Sequence, residues 1–281
     1  MDITTTIAQT RKYIKEWRSQ GLTIGLVPTM GYLHDGHASL IRQARESCQK
    51  VVVSIFVNPM QFGANEDLST YPRDLEADSR LCERLGVDVI FHPEPEEMYA
   101  PGFCSFVDMD GLTKELCGRS RPIHFRGVCT VVSKLFNIVT PNKAFFGQKD
   151  AQQLAVIRRM VTDLNMDIEI VGCPIVREED GLARSSRNVY LSPEERQAAL
   201  VLSKTIALGQ RMVQEGVRDS GKLVQAMKEA IAQEPLARID YVEAVSMDTI
   251  QPVETIQGRV LVAMAVFIGK TRLIDNFIVE V

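Results

Sequence analysis

Short, continuous apolar runs that alternate with helical periods constrain this chain most. Thr23-Ile24-Gly25-Leu26-Val27 is apolar at both parities of a strand, and similar runs predict strands near 23–29, 50–57, 88–92, 143–147 and 168–172. Successive side chains of a strand point to opposite faces, so a run apolar at both parities needs cover on both faces. Helical periods near 37–48, 74–86, 127–139 and 150–163 fall between these runs. The alternation predicts a parallel sheet with helices on both faces, in which ligands bind beyond the carboxyl ends of the strands. A further amphipathic helix is predicted over 5–20, directly after Met1-Asp2-Ile3.

The pattern changes after Asn188. Ser192-Pro193-Glu194-Glu195 is a good helix start, with proline at the first helical position and acids in the first turn. Helices are predicted near 193–216 and 219–233, then strands near 238–246, 259–268 and 272–280. The short Gly269-Lys270-Thr271 turn suits an antiparallel pair. We therefore expect a smaller α+β domain with an antiparallel sheet, beginning between about 176 and 190.

The first predicted strand runs into Pro28-Thr29-Met30-Gly31-Tyr32-Leu33-His34-Asp35-Gly36-His37. Unpaired N–H groups and the dipole at a helix N-terminus favour an anion such as phosphate. Gly31 and Gly36 let a bulky ligand approach, His34 and His37 add ring donors, and Asp35 reads as the helix cap. A bare HxxH is a weak motif and also describes a turn with two surface histidines. The strand before it and the helix after it make the functional reading the stronger one.

Two other segments follow predicted strands. Gly147-Gln148-Lys149-Asp150 offers a close approach at Gly147 and a compact cation at Lys149, with Asp150 as a cap, a metal contact or a ribose contact. Gln61 and Gln153 carry amides that both donate and accept, whereas Gln152 reads as a polar helix face. Arg184-Ser185-Ser186-Arg187-Asn188 is a basic, hydroxyl-rich loop whose donors suit phosphates, or an ordinary interdomain turn. Arg121, His124 and Arg126 form a second basic cluster, either binding carboxylates or shaping the mouth of the site. Asp78 reads as a metal contact or as one solvated acid on a charged helix.

Taken together, the motifs resemble one family. His34-Asp35-Gly36-His37 resembles the HIGH motif of nucleotidylyl transferases and class I aminoacyl-tRNA synthetases. The longer PTMGYLHDGHASLI resembles pantoate–β-alanine ligases, as do SIFVNPMQF over 54–62, Tyr71-Pro72-Arg73, RPIHFRGV over 121–128, FFGQKDAQQL over 145–154 and Ser185-Ser186-Arg187-Asn188. The resemblance implies a Rossmann-like domain over 1–183 binding ATP and pantoate, and a domain over 184–281 covering the active site. It implies condensation of (R)-pantoate with β-alanine through a pantoyl adenylate, releasing AMP and pyrophosphate. ATP would be a substrate, with Mg²⁺, and the assembly a homodimer. His34, His37 and Lys149 would do the catalytic charge work, with His37 the better proton donor to the phosphates. ATP would contact residues 30–37, 147–150, Val176 by its main chain, and 184–187. Gln61 and Gln153 would bind pantoate, Gln61 also meeting β-alanine, with Met60 and Phe62 as apolar walls. The family usually has methionine where Arg184 stands, and loop 184–188 resembles the position of a flexible KMSKS-type loop that closes over the adenylate.

Two other readings compete. A nucleotidylyltransferase of the same fold would leave AMP on its product and would not need about 95 residues after the loop. A non-catalytic nucleotide-binding protein is disfavoured by Lys149 and both histidines. The net charge of −4 argues against a nucleic-acid or anionic-membrane binder. No run of about 18 apolar residues suggests a membrane span. Six scattered cysteines contain no CxxC pair, so buried, reduced thiols in a cytoplasmic protein are expected, with no protein-held metal site.

Overall fold

A computed structural model describes residues 1–64 and 66–281. Its elements run β1 (Asp2–Thr4), α1 (Ile7–Ser19), β2 (Ile24–Thr29), α2 (Asp35–Ser47), β3 (Lys50–Ile55), α3 (Leu75–Arg84) and β4 (Val89–Phe91). Then come the short α4 (Pro95–Met98) and α5 (Cys117–Ser120), α6 (His124–Val139), β5 (Lys143–Gly147), α7 (Ala151–Asp163) and β6 (Glu169–Cys173). The chain ends with α8 (Pro193–Ala198), α9 (Leu200–Gln214), α10 (Ser220–Ala232), β7 (Ala237–Ser246), β8 (Arg259–Ile268) and β9 (Thr271–Glu280). Two compact units are present: residues 1–109, 123–148 and 156–174, and residues 110–122, 149–155 and 175–281.

The first unit holds a six-stranded parallel sheet in the order β1-β4-β3-β2-β5-β6. Val27, Val51, Val53, Ile55, Ile90 and Phe145 face a core closed by Leu40, Ile41 and Ala44 of α2 and Cys82 of α3. Residues of the other parity, such as Leu26, Val52 and Ala144, are also buried. Phe136 of α6 packs edge-on to Phe146 on that second face. The doubly apolar runs thus have cover on both faces, as their sequence demands. From β2 the chain moves outward through β3 and β4, and then returns to β5 on the other side of β2. The switch point therefore lies between β2 and β5, where open parallel sheets bind ligands at the strands' carboxyl ends.

One element was not foreseen. Asp2–Thr4 does not lead straight into the first helix but forms edge strand β1, paired with β4 from Asp2↔Val89 to Thr4↔Phe91. Thr6 then caps α1, its side chain and that of Gln9 exchanging bonds with each other's backbone.

The second unit contains the antiparallel sheet β7-β8-β9. Its hairpin closes from Ile268↔Thr271, with Gly269 left-handed as a two-residue turn requires. Val260, Val262, Met264, Val266 and Ile268 of β8 pack with Leu202 and Ile206 of α9 and Leu223 and Met227 of α10. The helical period over 193–216 forms two helices, α8 and α9, that adjoin at Ala199.

Cys48, Cys82, Cys129 and Cys173 are buried, Cys117 is half-buried, Cys104 is exposed, and none is disulfide-bonded. Burial pushes the Cys82 and Cys129 thiols up to about 12 and the Cys173 thiol to about 11, which marks them as packing groups. No helix among the described residues is long and apolar enough to cross a membrane.

Candidate active site

The two-histidine turn leaves the carboxyl end of β2. Gly31 and Tyr32 both have positive φ, 83° and 51°, which reverses the chain sharply. A buried carboxylate holds this turn. Tyr32 N–H donates to Asp78 Oδ2 at 2.8 Å and Leu33 N–H to Oδ1 at 2.6 Å. Asp78 is 2% exposed, so it is not a solvated acid on a charged helix, contrary to that sequence reading. Burial pushes its pKa above the ordinary carboxylate value, opposed by the two backbone donors. The carboxylate also crowds Gly31, where an added Cβ would meet Oδ2 at 3.1 Å.

His34, not Asp35, is the N-cap of α2. His34 is extended, and its Nδ1 accepts from Gly36 N–H at 3.1 Å; Asp35 is the first helical residue. His37 reciprocates, its Nδ1 accepting from His34 N–H at 3.3 Å. The ring centroids stand 4.1 Å apart. A backbone N–H can only donate, so both Nδ1 atoms lack a proton. Each neutral ring then carries its proton on Nε2. That Nε2 proton is the one each ring can offer.

Gln61 lies in the turn after β3 and is 8% exposed. Tyr99 Oη donates to Asn58 Oδ1 at 2.8 Å, and Met60 N–H donates to the same oxygen at 3.3 Å. Asn58 Nδ2 therefore faces the acceptors Gly127 O and Gln61 Oε1, both at 3.1 Å. Backbone groups at both ends fix this amide, which in turn directs Gln61 Nε2 toward Met30 Sδ at 3.1 Å. Buried His124 donates from Nδ1 to Gln61 O at 3.0 Å. Of the basic cluster, His124 thus braces the turn and Arg126 stacks 3.9 Å over Phe106. Gly127 permits the close passage of α6: an added Cβ would lie 2.6 Å from Gln61 N and Cα.

In the first unit, residues 30–37 follow β2, Gln61 follows β3, Gly147 ends β5 and Gln148 follows it. Lys149, Asp150, Gln153, Val176 and Arg184–Arg187 belong to the second unit. Lys149 Nζ lies 3.6 Å from Asp150 Oδ2. Gln153 is half-buried. Gln152 is buried and not a solvated helix face. Its Oε1 accepts from Cys117 N at 2.9 Å, and its Nε2 donates to Leu112 O and Glu115 O at 2.9 and 2.8 Å. Residues 176–184 form a hairpin, with Arg184 N–H on Val176 O at 2.9 Å and Arg177 bridged to Ala183.

A polar hub ties the basic loop to this hairpin. Glu178 accepts from Asn188 Nδ2 at 2.8 Å and from Arg196 Nη2 at 2.7 Å, and Arg184 lies 3.8 Å away. Burial alone would push the Glu178 carboxyl up, but Arg196 and Asn188 outweigh it and hold its pKa below the ordinary value. Asn188 also donates to Ala183 O at 3.2 Å, and Ser185 caps the short helix Ser186–Tyr190. Among the described residues, no group of three or more His, Cys, Asp or Glu is arranged to hold a metal ion.

A paired-histidine turn at the switch point of a parallel sheet, beside a buried amide with a directed donor, suits a nucleotide and a small polar co-substrate. Comparison with known proteins decides the family. The pantoate–β-alanine ligase model matches residues 2–278. The chain belongs to the pantoate–β-alanine ligase family. It is similar to a pantothenate synthetase of Ruminiclostridium cellulolyticum, 65% identical over 97% of this chain and 96% of that protein. It is also similar to one of Enterococcus faecalis, 60% identical over 100% and 99%. Among solved structures, a pantothenate synthetase from Thermus thermophilus superposes with TM-score 0.94 at 45% identity, covering 99% of each chain. A pantoate–β-alanine ligase from Francisella tularensis, solved with β,γ-ATP and β-alanine, superposes with TM-score 0.80 at 34% identity, covering 99% of this chain and 97% of that one. Family membership accounts for the parallel sheet and the antiparallel C-terminal sheet.

Sequence reading gave Asp78 and Gln152 other roles, left His124 between binding carboxylates and shaping the mouth of the site, and did not single out Tyr99. Asp78, Tyr99, His124 and Gln152 each grip backbone or an amide from a distant part of the chain. Only burial and partner geometry reveal such roles.

Proposed function

We propose that this chain condenses (R)-pantoate with β-alanine in two steps, with ATP as substrate. In the first, a pantoate carboxylate oxygen attacks the α-phosphorus, the bond to the β-phosphate oxygen breaks, and pyrophosphate leaves. In the second, the β-alanine amine attacks the activated carbonyl and AMP leaves with the carboxylate-derived oxygen. No enzyme nucleophile is needed, and catalysis rests on position and on donors aimed at developing phosphate charge.

The observation that carries this reading is the reciprocal histidine cap at the switch point. It sets two Nε2–H donors on neutral rings at the mouth of β2. We assign these rings and Lys149 to the departing phosphates, and residues 30–37, 147–150, Val176 and 184–187 to ATP. Gln61 and Gln153 are assigned to pantoate, with Gln61 also reaching β-alanine. The donor orientation of Gln61 suits a carboxylate. Mg²⁺ is assigned to the nucleotide as part of the substrate. No step depends on a protein-held metal. A cytoplasmic homodimer completes the proposal, its subunit count measurable by light scattering.

Pantoate alone should support exchange of labelled pyrophosphate into ATP. Oxygen-18 placed in the pantoate carboxylate should appear in AMP after the full reaction. Label in inorganic phosphate, with ADP, would instead indicate an acyl phosphate and overturn the proposal.

A further inference from the structure

Two consecutive polar residues, Asp275 and Asn276, interrupt the otherwise apolar middle of β9. Both are buried, at 1% and 5% exposure. Buried polar groups cost stability unless bonded, so their partners matter. Asp275 takes a bidentate pair from Arg177, Nη1 to Oδ2 at 2.7 Å and Nη2 to Oδ1 at 2.9 Å. Arg177 also donates to Gly181 O at 3.0 Å, so this pair fixes β9 to the 176–184 hairpin. Asp275 Oδ1 further accepts from Asn276 N–H at 2.8 Å. Asn276 Nδ2 then donates to the main-chain carbonyl of Lys149 at 2.9 Å.

Lys149 sits in the short turn Gln148–Asp150, just before α7. The main chain held here is the point from which the flexible Lys149 side chain must reach, so it sets which positions the ammonium can occupy. The backbone of β9 is fixed on one side by β8, with Asp275↔Met264 and Asn276↔Ala263 in register. A rigid strand therefore grips the backbone from which Lys149 projects.

We propose that Asn276 is a positioning residue for adenylation, holding the Lys149 main chain so that its ammonium meets the developing phosphate charge. This rests on the assignment of Lys149 to the triphosphate. Asn276 touches no reacting atom and acts only through Lys149. Its contribution should therefore depend on the Lys149 side chain being present.

The test is a double-mutant cycle read by pantoate-dependent pyrophosphate exchange, with melting temperature measured alongside. Asn276→Ala should lower the exchange kcat about tenfold, since small misplacements of a catalytic group are costly. In the Lys149→Ala background the same change should cost less than about twofold. If Asn276→Ala does not fold, Asn276→Ser removes the long-reach donor with a milder packing change and carries the same cycle. An undiminished loss in the Lys149→Ala background means a merely structural role and overturns the proposal alone. A wild-type rate from Lys149→Ala overturns the assignment of Lys149, and this proposal with it.

Discussion

Gly127→Ala should damage the site while leaving every predicted substrate contact chemically intact. Gly127 lies in the first turns of α6, against the Pro59–Gln61 turn. An added Cβ would sit 2.6 Å from Gln61 N and Cα, and closer still to Met60 O. Carbon contacts settle near 3.5–4.0 Å, so the turn must retreat by about 1 Å. The obstacle is backbone, which cannot swing aside as a side-chain tip can. The retreat also strains the Asn58 bonds to Gly127 O and Gln61 Oε1 and the His124 bond to Gln61 O.

Overpacking of this kind costs about 1–3 kcal/mol. Moving a positioning group by about 1 Å costs up to about 10²-fold in rate. Gly209→Ala is the control. There the added Cβ would meet Met227 Sδ and the Phe277 ring edge at 3.0 Å, side-chain atoms that can yield. Both variants should lower the melting temperature, but only Gly127→Ala should raise KM for pantoate and lower kcat. Wild-type kinetics in Gly127→Ala would refute the claim that α6 sets the place of Gln61.

Two further expectations concern charge. Asp78→Ala should abolish adenylation with only modest loss of stability, since it releases Tyr32 and Leu33 N–H from the turn that presents the histidines; near-normal exchange kinetics would contradict this. Glu178 has a folded pKa below its ordinary 4.5, so its bonds contribute stability that is full above 4.5 and lost as pH falls through the lowered folded value. The stability gap between wild type and Glu178→Gln, about 1–3 kcal/mol at pH 7, should therefore close on acidification, and a gap independent of pH would count against the hub.

Local patterns carried most of the fold into the sequence. The doubly apolar runs and the helical periods are short-range signals, and their elements lie within a few residues of the expected bounds. β1 carried no such signal, because three residues have no period and their partner begins at Val89. The cap of α2 was misplaced by one residue because a histidine Nδ1 serves as acceptor where Asp or Asn is the usual choice. Gln152 and Gln153 are indistinguishable by residue type, and only the burial of one separates them. The segments 110–122 and 149–155 cluster with the C-terminal residues through contacts such as Cys117 with Tyr241, Ser120 with Asp240 and Lys149 with Asn276. No composition change marks them. Asn276 left a faint trace, a polar pair inside an apolar strand, whose meaning needed its partner Lys149.

The histidine pair allows the cap and the donor to be separated. His34 Nδ1 serves α2, and on this reading its Nε2–H serves the nucleotide. An asparagine at 34 places its carbonyl oxygen near the position of Nδ1 but has nothing at the position of Nε2. A glutamine places an amide N–H near Nε2 but withdraws the near acceptor. Asparagine is among the best N-caps, and losing a cap costs about 1 kcal/mol. His34→Asn should therefore be as stable as wild type and lose about 10²-fold in adenylation, as for a lost transition-state donor. His34→Gln should melt lower by about 1 kcal/mol of stability yet keep more adenylation activity than His34→Asn. Nitrogen-15 spectra of the wild type should show the proton on Nε2 of both rings. A proton on Nδ1, or the opposite order of the two variants in rate, would mean that the rings serve the phosphates in another way. If the order holds, the rings donate as neutral groups. On the proposed assignment, the positive charge that balances the departing pyrophosphate then comes from Lys149, the arginines of the 184–187 segment and the cation that accompanies ATP.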